Sequence, residues 1–460
     1  MQKNEVKNKT NVGANDYLTV KKPLHALLIF ALPIIIGNMF QQLYTLVDSA
    51  VIGRYVGITA LAAVGASTSL TNIFIFVAAG GGMGASVIVS RYFGAKEYRK
   101  MKSAVYTAMI SFLVLSLVLA ALGLAFGKGI MLLLKTPADA LDLSVEYLNI
   151  YFYGLPLLSM YNIISSMFNA LGKSKIPLVF LIFSSVLNVV LDVYMVTVLG
   201  MGIAGVAWAT FIAQGISAVL SFAVFMLEMK RFEEKSEKIF DKAELSTMTR
   251  VALPSILQQS TVSIGLMLVQ SVVNSFGSEV LAGFTASMRV ESLVIVPFIA
   301  IGNALSSYTA QNLGAGKSER VAEGYRTANV MVAVFAVIIF LFLQFCKTPI
   351  LEFFLGEELT PAALKTGLGY MSFMSWFYAL IGYKMSTDGL LRGAGDMVMF
   401  TVANLINLSL RVILATALAP IFGVEFVWYA VPVGWLINFA LGYLQYRTGK
   451  WKRIFKEKIR

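Results

Sequence analysis

Long apolar runs separated by short polar breaks dominate the chain, with Ser111–Phe126 and Asn329–Phe345 as uninterrupted examples. A membrane-crossing helix needs about 20 predominantly apolar residues, whereas an outer-membrane strand shows a shorter alternating stretch. The runs predict twelve helices, near 24–52, 59–91, 103–134, 144–171, 176–198 and 203–229, then 250–276, 280–311, 326–355, 361–391, 397–420 and 427–447. Several exceed the minimum span, which implies tilt or extension beyond the bilayer. The longest polar break, Lys230–Thr249, follows the sixth helix. The predicted fold is therefore an all-α polytopic membrane protein. Its expected parts are a tail (1–23), an N-lobe (24–229), a linker (230–249), a C-lobe (250–447) and a second tail (448–460).

The halves resemble each other. Ala31-Leu32-Pro33 opens the first span and Ala252-Leu253-Pro254 the seventh. Gly57–Ala108 slides onto Gly277–Ala328 without a gap over 52 positions, with twelve identities that include Ala66-Ser67 with Ala286-Ser287 and Gly94-Ala95 with Gly314-Ala315. An even number of spans per half gives both repeats one orientation, so the expected pseudo-two-fold axis lies along the membrane normal, as in secondary transporters. Duplication without transport, as in a membrane scaffold, is the competing reading. Ionisable groups inside spans favour transport, because a scaffold has no need of them.

Composition sharpens this picture. Of 460 residues 58% are hydrophobic and 13% charged, against about 45–50% and about 25% in soluble chains. The formal net charge of +12 is a matter of topology: counting span ends with the loops they adjoin, 29 of the 37 Lys and Arg fall on the side of the tails and alternate loops, five on the opposite side and three (Arg289, Lys384 and Arg411) well within spans. That bias places both termini in the cytoplasm and argues against a nucleic-acid partner. The lone Cys346 can form neither an internal disulfide nor a cysteine metal site. His25, the only histidine, stands where the first apolar run begins and reads as an interfacial side chain. Enzyme chemistry based on histidine or a resident metal lacks its residues.

Two glycine-rich stretches carry no nucleotide chemistry. Gly314-Ala315-Gly316-Lys317-Ser318 mimics the end of a phosphate loop, but the motif's first glycine would fall at Gln311, and no strand precedes it. Gly80-Gly81-Gly82-Met83-Gly84 is expected to let another helix approach closely. No ATP site follows, so transport would draw on an ion gradient.

The charges left inside spans are the candidate chemistry. In the first half these are Asp48 (span one) and Asp192 (span five), each costing on the order of 3 kcal/mol to leave charged there. Asn188 lies one turn before Asp192 on the same helix face, and Thr210 offers a hydroxyl on span six. Two carboxylates, an amide and a hydroxyl suit a small hard cation such as Na+, or a shared proton. The plainer alternatives are a partly hydrated helix end for Asp48 and a hydrogen bond to a neighbouring helix for Asp192. The second half carries Arg289, Glu291, Lys384, Asp388 and Arg411 instead. Lys384 and Asp388 are spaced to pair; the set reads as a structural ion-pair network or as groups facing charged parts of a cargo. Gln41, Gln42 and Tyr44 on span one are further cleft candidates, because polar groups avoid lipid.

Leu46-Val47-Asp48-Ser49 followed by Gly53, Gly200-Met201-Gly202-Ile203-Ala204-Gly205, Gln311-Asn312-Leu313-Gly314-Ala315-Gly316 and Leu391-Arg392-Gly393-Ala394-Gly395-Asp396 together resemble the multidrug and toxic compound extrusion (MATE) family. The resemblance implies two six-helix bundles around a central cleft, in a monomer of the prokaryotic inner membrane. It also implies an antiporter that exports small organic, often cationic, compounds in exchange for H+ or Na+ without a bound cofactor. In members like the DNA-damage-inducible branch, the coupling residues match Asp48, Asn188, Asp192 and Thr210. The other bacterial branch places acids in spans seven and ten. Here span seven has none, and Asp388 lies too close to Leu391-Arg392-Gly393 to match. A lipid-linked precursor flippase is the alternative, with Arg289 and Arg411 holding a phosphate-bearing headgroup.

Overall fold

The computed structural model describes residues 16–134, 136–356 and 359–452. Lys3, Lys7, Lys9 and Lys135, and most of the C-terminal tail, used above to orient the chain, lie outside the described residues. Among the described residues the regular structure is helical throughout. A single turn, α1 (Tyr17–Val20), precedes α2 (Pro23–Val51), α3 (Ile58–Ala95), α4 (Tyr98–Leu133), α5 (Ala138–Ala170), α6 (Lys175–Val193) and α7 (Gly202–Lys230). The second half holds α8 (Lys242–Asn274), α9 (Ser278–Val294), α10 (Val296–Gly314), α11 (Ser318–Leu355), α12 (Pro361–Met374), α13 (Tyr378–Ala394), α14 (Met397–Phe422) and α15 (Glu425–Thr448). With α9–α10 and α12–α13 each forming one pass, these make the twelve expected spans. Among the described residues ten segments are long and apolar enough to cross a bilayer on length and composition alone. The other two are α5, whose start carries Asp139, Asp142 and Glu146, and the α12–α13 pass, broken by a 3-10 turn at Ser375–Phe377.

The apolar pattern did not predict the breaks. Span eight changes helix at Ile295, just before Pro297 removes a backbone donor. Arg392, tallied with the loop charges, lies inside α13 and is buried, donating to Ser306 Oγ at 3.2 Å and Asn303 Oδ1 at 2.8 Å. Other expectations hold locally. Gly57 and Gly277, identical in the repeat, open α3 and α9 with φ of 117° and 102°, a conformation that costs a side-chain-bearing residue dearly.

The chain divides into two compact units, Ile36–Ile256 and Leu257–Arg460 together with the segment up to Ile35. Compared with the expected lobes, the first part of α2 is grouped with the C-terminal unit and the first part of α8 with the N-terminal unit. The glycines explain the second grouping. A Cβ on Gly80 would fall 2.7 Å from Ile256 N, and one on Gly84 would fall 2.5 Å from Ala252 N, so α8 runs against α3 at backbone contact. In the C-terminal unit, α10 and α13 cross just as closely: a Cβ on Gly389 would meet the Gly302 carbonyl oxygen at 2.1 Å. That crossing fixes the depth of the polar residues on α13. Gly314–Gly316 ends α10, and Lys317 donates to the Thr19 carbonyl at 2.9 Å, so this stretch is a helix end.

Candidate functional site

In the N-terminal unit the four residues singled out from sequence come together. Asp48 sits in the last turn of α2, directly before a π-helical turn at Ile52–Val56. Asn188 and Asp192 sit at the end of α6, before a second π turn at Tyr194–Val198. The two π turns touch. Each widens the helix to a five-residue bond, Ile52 O accepting from Gly57 N at 3.0 Å and Tyr194 O from Leu199 N at 3.2 Å. Such turns concentrate at functional sites. With its amide oriented to satisfy both ends, Asn188 donates to Asp48 Oδ1 at 3.1 Å and accepts from Thr210 Oγ1 at 3.2 Å. The amide thus bridges three helices.

Asp192 is fully buried, and no donor reaches either of its oxygens among the described residues. The Asp48 carboxyl lies within electrostatic reach of it. Two carboxyls in that position need a proton or a cation between them, because two bare charges cannot share a dry site. No Lys or Arg pairs with either acid among the described residues. Tyr44 and Tyr147 lie within electrostatic reach of both acids. Beside Thr210, a cavity of about 20 Å³ is lined by Tyr147, Tyr151 and Gln214, room for a water molecule.

The C-terminal unit arranges its charges otherwise. Lys384 Nζ meets Asp388 Oδ2 at 2.7 Å on α13, the spacing expected from sequence. The same oxygen accepts from Asn404 Nδ2 of α14 at 3.2 Å and from Gln258 Nε2 of α8 at 3.4 Å. A second cluster joins Glu291 of α9 to the Tyr370 hydroxyl of α12, which donates to it; Arg411 of α14 lies within electrostatic reach. Arg411 Nε and Asn407 Oδ1 are buried without hydrogen-bond partners.

The remaining candidates stay apart from these clusters. Gln41 and Arg289 are exposed, and Gln42 is half-buried. Sequence reading missed Tyr147, Gln258, Asn404 and Tyr370. Their signal was present but faint: an amide or phenol inside an apolar run, Gln258 and Asn404 on spans with no acid to draw attention.

Comparison with known proteins follows the same outline. The MatE family model matches the chain twice, over residues 33–194 and 254–416, one match in each half. The chain is 31% identical over 438 residues to the probable multidrug resistance protein YpnP of Bacillus subtilis, covering 95% of this chain and 98% of that one. It is 25% identical over 428 residues to an FAD transporter of Shewanella oneidensis, covering 92% of this chain and 94% of that one. Among solved structures it superposes on a MOP superfamily transporter from Pyrococcus furiosus with a TM-score of 0.88 at 23% identity, covering 95% of this chain and 98% of that one. An outward-facing multidrug resistance MATE family transporter gives a TM-score of 0.86 at 23% identity, with the same coverage. The structural likeness supports the fold.

Proposed function

The chain belongs to the MatE family, and from that premise we propose that it is a secondary-active multidrug efflux antiporter. It exports small organic, predominantly cationic compounds in exchange for H+ or Na+, by the rocking alternating access that parallel repeats imply. It works in the inner membrane of a prokaryote, as a monomer with both termini in the cytoplasm, and needs neither ATP nor a bound cofactor.

One observation carries this reading: half-buried Asp48, bridged to Thr210 through Asn188, lies within electrostatic reach of the fully buried Asp192, and among the described residues no basic side chain pairs with either acid. An acid pair of this kind takes up a cation or a proton and releases it when the site opens to the other side. Net charge, and hence the preferred packing of α2 against α6 and α7, then depends on occupancy. The names of the curated relatives support export of organic cargo. The flippase alternative has less support, because Glu291 beside Arg411 offsets the positive charge that a phosphate headgroup would seek.

The test is transport in proteoliposomes under an imposed pH or Na+ gradient. Asp48→Asn and Asp192→Asn are expected to abolish gradient-driven efflux of a fluorescent organic cation. Unchanged efflux in either variant would refute the site. Repeating the wild-type measurement with and without Na+ separates the two coupling ions.

A further inference from the structure

The Lys384–Asp388 pair is built like a cation site whose cation is covalently attached. Four side chains from three helices converge there, and all are buried: Lys384 is 2% exposed, Asp388 3%, Asn404 6% and Gln258 9%. Asp388 Oδ2 collects three donors, the Lys384 ammonium and the amides of Asn404 and Gln258. Asp388 Oδ1 has none, although it is equally buried. Gln258 also donates to Asn404 Oδ1 at 3.3 Å, so the two amides orient each other. Turned about, they would present carbonyl oxygens on the side of Asp388 Oδ2, where the ammonium sits. A carboxylate and two amide oxygens form an oxygen donor set of the kind hard cations accept.

A buried ion pair of this kind is a poor source of stability. Replacing both partners by apolar residues is often neutral or favourable, whereas removing one partner is strongly unfavourable. Packing alone therefore gives no reason for the charges. Arg392, one turn further along α13 and within electrostatic reach of Asp388, directs donors to Ser306 and Asn303; the Lys384 ammonium is the cation in direct contact with the carboxylate.

We propose that Asp388, Gln258 and Asn404 form a monovalent metal-cation site in the C-terminal unit that the Lys384 ammonium occupies permanently. The unit is thereby kept loaded, and its charge does not follow the coupling ion. Removing the ammonium while keeping Asp388 would turn the place into an open Na+ site. The proposal rests on the antiport reading only for the idea that the N-terminal unit responds to a free ion.

The experiment is equilibrium binding of radioactive Na+ to the purified full-length chain in detergent, in an Asp48→Asn/Asp192→Asn background that removes the N-terminal site. The background is expected to bind no Na+. Adding Lys384→Met creates saturable binding, and adding Asp388→Asn to that variant abolishes it. Absence of Na+ binding by the folded Lys384→Met variant overturns the proposal, as does binding that survives Asp388→Asn, or uptake of a proton with no Na+ bound. If Lys384→Met does not fold, Lys384→Gln, which retains a hydrogen-bond donor, carries the same test. The antiport reading fails separately, in the transport assay with Lys384 intact, so the two outcomes are distinguishable.

Discussion

Asp192 and Asp388 are both buried on a helix that packs among neighbours bearing side-chain amides, yet they are neutralised in opposite ways. Asp192 has a second acid within electrostatic reach and Asn188 one turn away on its own helix, with no basic residue paired to it among the described residues. Asp388 has a lysine one turn away and two amides from other helices closing over the same oxygen. A buried carboxylate must be compensated in either case. The difference lies in whether the compensating charge can leave. A free proton or Na+ can exchange with solvent; a tethered ammonium cannot. On the proposed reading the duplicated scaffold holds one responsive half and one fixed half, and the contrast can be tested at each of its contacts.

The largest effect is expected at the responsive half. Asp192→Asn keeps the shape and volume of the side chain but removes the charge that attracts the coupling ion, so gradient-driven efflux should fall to the level of empty liposomes. The matching change at the fixed half, Asp388→Asn, should leave measurable gradient coupling, since that unit does not exchange its charge. If Asp388→Asn abolishes coupling as fully as Asp192→Asn, the two halves are not different in kind.

Stability reverses the ranking. Lys384→Met strands a buried carboxylate, for which the cost is about 3–5 kcal/mol, whereas the Lys384→Met/Asp388→Asn double variant should recover most of it. Thermal unfolding in detergent measures both, and the double-mutant cycle isolates the pair from the packing of each side chain. Na+ should raise the unfolding temperature of the single variant and not that of the double. A fully additive cycle would mean that the two charges do not compensate each other.

What the sequence made legible follows from these same distances. Asn188 and Asp192, and Lys384 and Asp388, are i, i+4 pairs, so helical periodicity alone placed each pair on one face. Asp48 and Thr210 joined the first pair because a polar group inside an apolar run has few places to go. Gln258 and Asn404 could not be attached to Asp388, because contacts between α8, α13 and α14 depend on helix crossings that spacing does not encode. The glycines where α10 and α13 cross, Gly302 and Gly389, were visible, but which backbone each one admits is a property of the packed helices. The same limit applies to Arg392. Its glycine-rich surroundings resemble a loop, whereas its place is in a helix whose glycines serve close packing. The breaks at Ile295 and Ser375–Phe377 escaped a hydropathy reading because apolar residues continue through or around them.

The amides extend the contrast at smaller scale. Asn188→Ala removes the amide that bridges Asp48 and Thr210, and loss of an orienting partner at an ion site costs roughly 10–100-fold in ion affinity. Asn404→Ala should cost only about 1 kcal/mol of stability, because the Lys384 ammonium still holds Asp388. Ion-concentration dependence of efflux checks the first and thermal unfolding the second. Equal shifts in ion affinity would show that Asn404, too, belongs to an exchanging site.

The smallest effect separates the tyrosines beside the acids. The Tyr370 hydroxyl donates to Glu291, which is buried and faces Arg411 across the unit. Tyr370→Phe removes that donor and leaves the carboxyl oxygen unpaired, a loss of about 1 kcal/mol for a neutral donor at a buried acceptor. Tyr147 lies near Asp48 and Asp192 without a hydrogen bond to either, so Tyr147→Phe should change stability by no more than about 0.5 kcal/mol. In a fixed half the phenol is part of the compensation and its deletion registers in thermal unfolding. In a responsive half the acids depend on an exchangeable partner, so deleting a neighbouring phenol should register in ion affinity if anywhere. A Tyr147→Phe variant destabilised as much as Tyr370→Phe would place that phenol among the fixed contacts of the acid pair and weaken the distinction between the halves.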